Sequence, residues 1–166
     1  MHDKLTRRDI EKMQEEIDHR KLVVRPQILK EVQEARAQGD LSENFEYHAA
    51  RKAKGENDSR IRYLENMIRT AIIVEDHSAE DQAGLEKKVT IRFLDEDEEE
   101  TYKIVTSVRG NSLHNLITPE SPLGKALMGH RPGETVHVNI DGSAGYDVQI
   151  TKVERGDGEE DSIRRF

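Results

Sequence analysis

Gly39-Asp40-Leu41-Ser42-Glu43-Asn44-Phe45-Glu46-Tyr47-His48 joins two long stretches whose apolar residues recur at spacings of 3 and 4. Before it run Ile10, Met13, Ile17, Val24, Ile28, Val32 and Ala35, with one skipped position near Arg20 and a stutter at Val32. After it Tyr47, Ala50, Lys54, Asn57, Ile61, Leu64, Ile68 and Ala71 alternate strictly. Seams this narrow belong to coiled coils rather than to broad globular faces. Gly39 suits a left-handed stop for the first helix, and so short a connection forces the second helix antiparallel. Helices of about 30 residues at about 1.5 Å each would make a rod of roughly 45–50 Å. Near the turn the second seam is Ala, Lys and Asn, and farther away Ile, Leu and Ile, so its apolar grip weakens toward the tip.

Thr6-Arg7-Arg8-Asp9 has the form of an N-terminal capping box and predicts the first helix start. Pro26 lies inside the first apolar pattern. It removes one backbone hydrogen bond and predicts a kink. The phase nevertheless carries from Val24 to Ile28, which predicts one bent helix rather than two.

Residues 75–86 are polar and aperiodic and read as a linker. Beyond them the period changes to 2. Val89-Ile91-Phe93 and Tyr102-Ile104 flank an acidic turn, Asp95 to Glu100, and predict a hairpin. Ser121-Pro122 opens a short helix, Pro122 to Met128, with Gly129 as its stop. Val136-Val138-Ile140 and Tyr146-Val148-Ile150 predict two more strands across Asp141-Gly142-Ser143. The expected class is α+β: a coiled-coil hairpin over 1–74, the linker, an antiparallel sheet with one short helix over 87–155, and a charged tail over 156–166.

Composition agrees with an exposed rod plus a small domain. Of 166 residues, 36% are charged and 4% aromatic, with no Trp, which is thin material for a single globular core. The absence of Cys excludes disulfides and thiolate metal sites and fits a reducing cytoplasm. No run approaches the roughly 18 apolar residues of a membrane span. The net charge of −8 is unevenly spread. Residues 1–72 hold 15 Lys and Arg against 14 Asp and Glu, while residues 73–166 hold 11 against 20. The first half tolerates a polyanion and the second repels one. Autonomous tight DNA binding is not expected, because phosphate neutralisation dominates such affinity.

The acidic residues of the turn admit two readings. Asp40 and Glu43 have the spacing of a capping box, with Asp40 as N-cap of the second helix and Glu43 three positions on. The same carboxylates, carried on a rod tip, could instead complete a Mg²⁺ site built mostly by a partner. Mg²⁺ often takes only one or two protein carboxylates beside substrate phosphates. Two-metal phosphodiester cleavage needs one ion to activate water and another to stabilise the leaving oxygen.

Gly39-Asp40-Leu41-Ser42-Glu43-Asn44 and Glu46-Tyr47-His48-Ala49-Ala50-Arg51 resemble the tip motif of bacterial Gre-type transcript cleavage factors, nearest the GreA branch. Ser121-Pro122-Leu123-Gly124-Lys125-Ala126-Leu127-Met128-Gly129 resembles the helix of that family's C-terminal domain, and the likeness runs from Arg25-Pro26 to Val153 in the same order. The resemblance implies a C-terminal domain similar to FK506-binding proteins. It implies a factor that enters the secondary channel of a backtracked RNA polymerase coiled coil first. Asp40 and Glu43 would then be ligands for the polymerase's second Mg²⁺, so that the polymerase cleaves its own extruded RNA 3′ end. The factor would have no catalytic activity and no cofactor of its own, and would act as a cytoplasmic monomer. Ser121, Pro122 and Leu123 match the segment that binds the channel rim. Phe45, which departs from the small residue common in GreA, is a candidate contact with RNA or polymerase. Tyr47 fits the seam, and His48 reads as structural. Arg51 and Lys52 head a basic stretch, with Lys54, Arg60 and Arg62, that would guide the RNA.

Three other readings compete, of which a purely structural coiled-coil adaptor leaves the acidic tip unexplained. An inhibitory Gre homologue would occupy the channel without promoting cleavage, but such relatives carry a more crowded acidic tip. A prolyl isomerase would need an aromatic pocket, and the C-terminal domain offers only Phe93, Tyr102 and Tyr146.

Overall fold

The computed structural model describes residues 3–39, 44–156 and 163. The chain divides into two compact units, Met1–Asp3 with Ile10–Ile72, and Lys4–Asp9 with Ile73–Phe166. No helix among the described residues is long and apolar enough to cross a membrane.

α1 (Arg7–His19), which belongs to the first unit from Ile10 onward and to the second up to Asp9, passes through a π-helical turn, Arg20–Val24, into α2 (Arg25–Ala37). His19, Val24 and Arg25 all keep right-handed helical dihedrals, so this is the single interrupted helix that the phase predicts. Pro26 supplies the cause. It has no N–H to donate, and its ring crowds the carbonyl four residues earlier. Widening the preceding turn relieves that crowding, and the Arg25 N–H closes back on the Arg20 carbonyl. No residue of the π turn is buried, which explains the skipped seam position. Met13, Ile17, Ile28, Val32 and Ala35 are buried, as their spacing requires.

The opposing helix, α3 (Phe45–Thr70), has 26 residues and rises about 39 Å, shorter than the expected rod because it begins at Phe45. It buries Tyr47, Ala50, Asn57, Ile61, Leu64 and Met67. Lys54 leaves the predicted seam for solvent and pairs with Asp58 at 3.3 Å, while Ala53 packs in its place. Farther on, Met67 is buried and Ile68 only half-buried. The true seam is thus set by size as well as spacing: a lysine can leave a narrow interface that an alanine fills.

A polar layer stands beside the π turn. Asn57 accepts from Arg20 Nη1 at 3.0 Å and donates from Nδ2 to the Arg20 carbonyl at 3.3 Å. Glu16 accepts from Arg20 Nε at 2.7 Å and from Arg60 Nε at 2.8 Å. Burial pushes the Glu16 carboxyl up, but these two arginines outweigh it and hold it below the ordinary carboxylate range. Such a layer fixes register, since a slipped pairing would strand its donors.

The second unit contains β1 (Lys4–Leu5), whose Leu5 carbonyl accepts from Val74 N at 2.8 Å just after β2 (Ile72–Ile73). Its sheet is built from β3 (Lys87–Phe93), β4 (Glu98–Ile104), β5 (Leu116–Ile117), β6 (Thr135–Val138) and β7 (Tyr146–Arg155), with α4 (Pro122–Leu127) between β5 and β6. The order is β5-β4-β3-β7-β6. The pairs β3–β4, β3–β7 and β6–β7 are antiparallel, whereas β5 joins β4 in parallel and makes the sheet mixed. A two-residue strand has no period to read, so β5 left no signal. Val89, Ile91, Ile104, Val136, Val138, Val148 and Ile150 form the core with Leu123 and Leu127 of α4. Part of the expected linker is built in: Ala83 is buried in this core, and Lys87 Nζ donates to the Gln82 carbonyl at 2.9 Å. One residue of the charged tail, Ile163, is described and is buried.

The capping box is present. Thr6 N donates to Asp9 Oδ2 at 2.9 Å and Asp9 N to Thr6 Oγ1 at 3.1 Å. Asp9 does more than cap: it also accepts from Thr106 Oγ1 at 2.6 Å and from Arg109 Nε at 2.5 Å. Arg109 is wholly buried and reaches Glu86 through Nη1 at 3.1 Å. Glu86 sits at φ 68°, a costly left-handed conformation for a residue with a Cβ. Its backbone bonds, N to the Ile104 carbonyl at 2.7 Å and its carbonyl to Gly156 N at 2.8 Å, hold it there.

The polar layer of the first unit gives a pH test. Glu16 stabilises the fold fully above the unfolded carboxyl pKa of about 4.3. That contribution is lost as pH falls through the lower folded value. Glu16→Gln is expected to cost about 1 kcal/mol at pH 7, and the deficit to shrink in thermal melts as pH falls through the lowered folded value. A deficit that persists unchanged in acid would locate the contribution in packing instead of charge.

Candidate functional site

The site is built where α2 ends and α3 begins. Gln38 N donates to the Ala35 carbonyl at 3.2 Å and Gly39 N to the Arg36 carbonyl at 3.4 Å, closing the last turn of α2. Gly39 has φ 111°, a conformation that side chains with a Cβ resist, so the predicted glycine stop is real. Asp40, Leu41, Ser42 and Glu43 lie outside the described residues.

Asn44 is the N-cap of α3. Its Oδ1 accepts from Tyr47 N at 3.0 Å, and its Nδ2 donates to the Ala35 carbonyl at 2.7 Å. One amide therefore satisfies an orphan donor at the start of α3 and a carbonyl at the end of α2. This corrects the reading of Asp40 as N-cap, since the N-cap of α3 is Asn44. The Asp-x-x-Glu spacing masked a better signal, for Asn is among the strongest N-cap residues and stands three before Tyr47.

Phe45 is 86% exposed although it begins a well-formed helix. Tyr47 is 6% exposed and packs with Ile28, Val32, Ala35 and Ala50, so its seam reading holds. It also gathers cations. The Arg36 and Arg51 guanidinium carbons lie 5.7 and 5.8 Å from its ring centroid, and Arg51 Nη1 donates to the phenol oxygen at 3.4 Å. Arg36 first, and Arg51 after it, hold the phenol below its ordinary value against the opposing effect of burial. Arg36 was not singled out by sequence, because it lies outside the motif and reaches Tyr47 only through the antiparallel pairing. His48 meets the Tyr47 ring edge-on at 5.6 Å, a packing role.

The other basic residues divide. Arg51 and Lys52 are exposed beside the tip, Lys52 within 4.0 Å of Glu56. Arg60 is drawn into the Glu16 layer, Lys54 pairs with Asp58, and Arg62 Nη2 donates to Ser59 at 3.3 Å. Farther along the same unit a groove of ≈ 480 Å³ is lined by Lys21, Arg25, Lys54 and Arg62 against Asp58 and Glu65.

In the second unit Ser121 caps α4, accepting from Gly124 N at 3.1 Å and donating to the Thr118 carbonyl at 2.7 Å. A Cβ on Gly124 would meet the Thr118 carbonyl oxygen at 1.9 Å, so this helix needs glycine to seat. Pro122 is exposed, whereas Leu123 places its side chain in the core and serves the fold. The aromatic residues that an isomerase would use are committed to packing. Phe93 and Tyr146 meet at 5.8 Å and, with Tyr102, lie against the core.

The profile "Transcription elongation factor, N-terminal" matches residues 4–73, and "Transcription elongation factor, GreA/GreB, C-term" matches residues 78–155. The chain is 42% identical over 150 residues to transcription elongation factor GreA of Mesoplasma florum, covering 90% of this chain and 96% of that protein. The chain belongs to the GreA/GreB family of transcription elongation factors. It is also 40% identical over 152 residues to GreA of Streptococcus pneumoniae, covering 91% of this chain and 94% of that one. Among solved structures it is similar to one titled "Structure of the transcription factor Gfh1", at 24% identity and TM-score 0.45, covering 92% of this chain and 97% of that one. A GreA/GreB factor from Nitrosomonas europaea is similar at 21% identity and TM-score 0.41, covering 57% of this chain and 78% of that one. Both are loose likenesses.

Within this GreA/GreB chain, the double bond of Asn44 has a separable signature. Asn44→Asp keeps the cap but loses the donor to Ala35, while Asn44→Ala loses both. Asn44→Ala is expected to destabilise the helical unit by about 1–2 kcal/mol, with Asn44→Asp intermediate in urea melts followed by helicity. Equal stability of wild type and Asn44→Ala would remove Asn44 from its place at the tip.

Proposed function

We propose that this GreA/GreB factor inserts its coiled-coil tip into the secondary channel of RNA polymerase and stimulates the polymerase's cleavage of backtracked RNA 3′ ends. Cleavage chemistry belongs to the polymerase, and the factor contributes ligands and position. Asp40 and Glu43 offer hard carboxylate oxygens of the kind that Mg²⁺ selects. Asp40 and Glu43 would hold the polymerase's second Mg²⁺, and a metal held there would supply Lewis-acid activation of the attacking water. This chain's own part is to carry the two carboxylates on a short connection between fixed helix ends. The single observation that supports the reading best is the Asn44 cap. Asn44 takes the N-cap position of α3 and accepts from Tyr47 N, so the cap itself is an amide rather than Asp40. A carboxylate that does not stand at the N-cap position can offer its oxygens to a metal.

Around the tip, Arg51 and Lys52, with Arg36 across the seam, face the phosphates of the extruded RNA. In the other unit, Ser121 and Pro122 meet the channel rim, with Leu123 holding their helix in place from below. The factor works as a monomer in the cytoplasm and has no cofactor of its own.

Asp40→Asn tests this reading, because it removes charge and keeps shape. Helicity and melting are expected to stay at wild-type levels, while Mg²⁺-dependent shortening of RNA in backtracked complexes falls on the order of 100-fold. Wild-type cleavage by the variant would end the metal-delivery reading. A wild-type protein that stops synthesis without shortening RNA would identify the inhibitory homologue instead.

A further inference from the structure

Gly55 lies in the interior of α3 without a packing reason. It is exposed, its φ is not left-handed, and a Cβ built on it would meet nothing within 4 Å. Alanine would fit there, so what glycine brings to this position is a weaker helix. Its level along the rod gives that weakness a context. Asn57, two residues on, bonds Arg20, and Asp58 pairs with Arg25 at 3.4 Å. Gly55 is therefore level with the π turn, Arg20–Val24, and with Pro26, where the opposite helix has its own irregular backbone. The apolar packing divides at the same level. The cluster that holds Ala35 and Tyr47 near the tip ends at Val24 on one helix and Ala53 on the other. Ile17 and Ile61, buried next along the seam, lie outside it.

We propose that the coiled coil bends at this level, with Gly55 as the yielding point of α3 and the π turn as its counterpart. Helices kink where the i→i−4 ladder is interrupted, and proline, glycine and π turns are where such interruptions occur. One weak point in a single helix of a pair is splinted by its neighbour. Two at one level, with no apolar cluster spanning them, leave the segments joined by backbone and polar contacts. The Glu16, Arg20, Asn57 and Arg60 layer stands on the base side of Gly55. Bending on its tip side keeps the register while the direction of the tip changes. The hinge is a property of the free chain; its use, aiming Asp40 and Glu43 at a metal, rests on the cleavage reading above.

Residual dipolar couplings of the backbone amides in the full-length protein test the hinge. They are fitted separately for the tip segment, residues 26–37 and 45–53, and for the base segment, residues 10–19 and 57–70. In wild type the tip is expected to align more weakly than the base. In Gly55→Ala the ratio of the two alignments should rise toward one, with helicity confirming the fold. A single alignment that fits both segments of wild type would overturn the hinge. So would a ratio that Gly55→Ala leaves unchanged, which would make Gly55 room for a neighbour instead. In backtracked polymerase complexes Gly55→Ala is expected to promote cleavage several-fold more slowly than wild type. Full-rate cleavage with a Gly55→Ala protein whose alignments have converged would overturn the aiming role. No polymerase enters the coupling measurement, so its outcome stands apart from the metal-delivery reading that Asp40→Asn tests.

Discussion

The tip of this protein depends on one side-chain amide. Asn44 accepts from the first turn of α3, where Tyr47 N would otherwise lack a helical partner, and donates to the Ala35 carbonyl in the last turn of α2, so the two helix ends are tied together. The first turn of α3 is positioned by it. Phe45 is rooted on it, and Tyr47, whose N–H it takes, turns its ring into the seam and gathers Arg36 and Arg51. A neutral amide, and not a carboxylate, therefore stands at the N-cap of α3. On the proposed mechanism that matters, because a carboxylate bonded to backbone N–H groups would have to give up those bonds to bind an ion.

A second constraint acts farther down the same unit. Pro26 cannot complete an ordinary helical turn, and the chain answers with a π turn that presents Leu22 and Val23 to solvent. The apolar seam is broken there and is replaced by the Glu16, Arg20, Asn57 and Arg60 layer. Apolar burial alone would permit several registers in so thin an interface. Charged donors that fit one carboxylate do not, and register is what fixes which residue of α3 lies opposite Gly39 and the end of α2.

Most of the architecture was legible because period is a strong signal. The seam from Met13 to Ala35, the Thr6–Asp9 capping box, the β3–β4 hairpin and the Ser121 cap all followed from spacing and residue type. What was missed has physical reasons. Arg109 is a lone arginine in a polar stretch, and nothing local announces that Asp9, 100 residues earlier, will bury it. β5 is too short to show alternation. Lys54 matched the heptad by position but left the interface by chemistry. At the tip, Asp40 and Glu43 imitated a capping box one turn too early, and the true cap was the next residue along.

The central claim, a proposal, is that a GreA/GreB chain whose second long helix is capped by Asn44 lends the Asp40 and Glu43 carboxylates to a metal ion held by polymerase. The Mg²⁺ dependence of RNA cleavage in backtracked complexes tests it most directly. The account predicts that wild-type protein lowers the Mg²⁺ concentration needed for half-maximal cleavage and that Glu43→Gln, at equal occupancy of the complex, does not. Identical Mg²⁺ dependence with wild type and Glu43→Gln would contradict it.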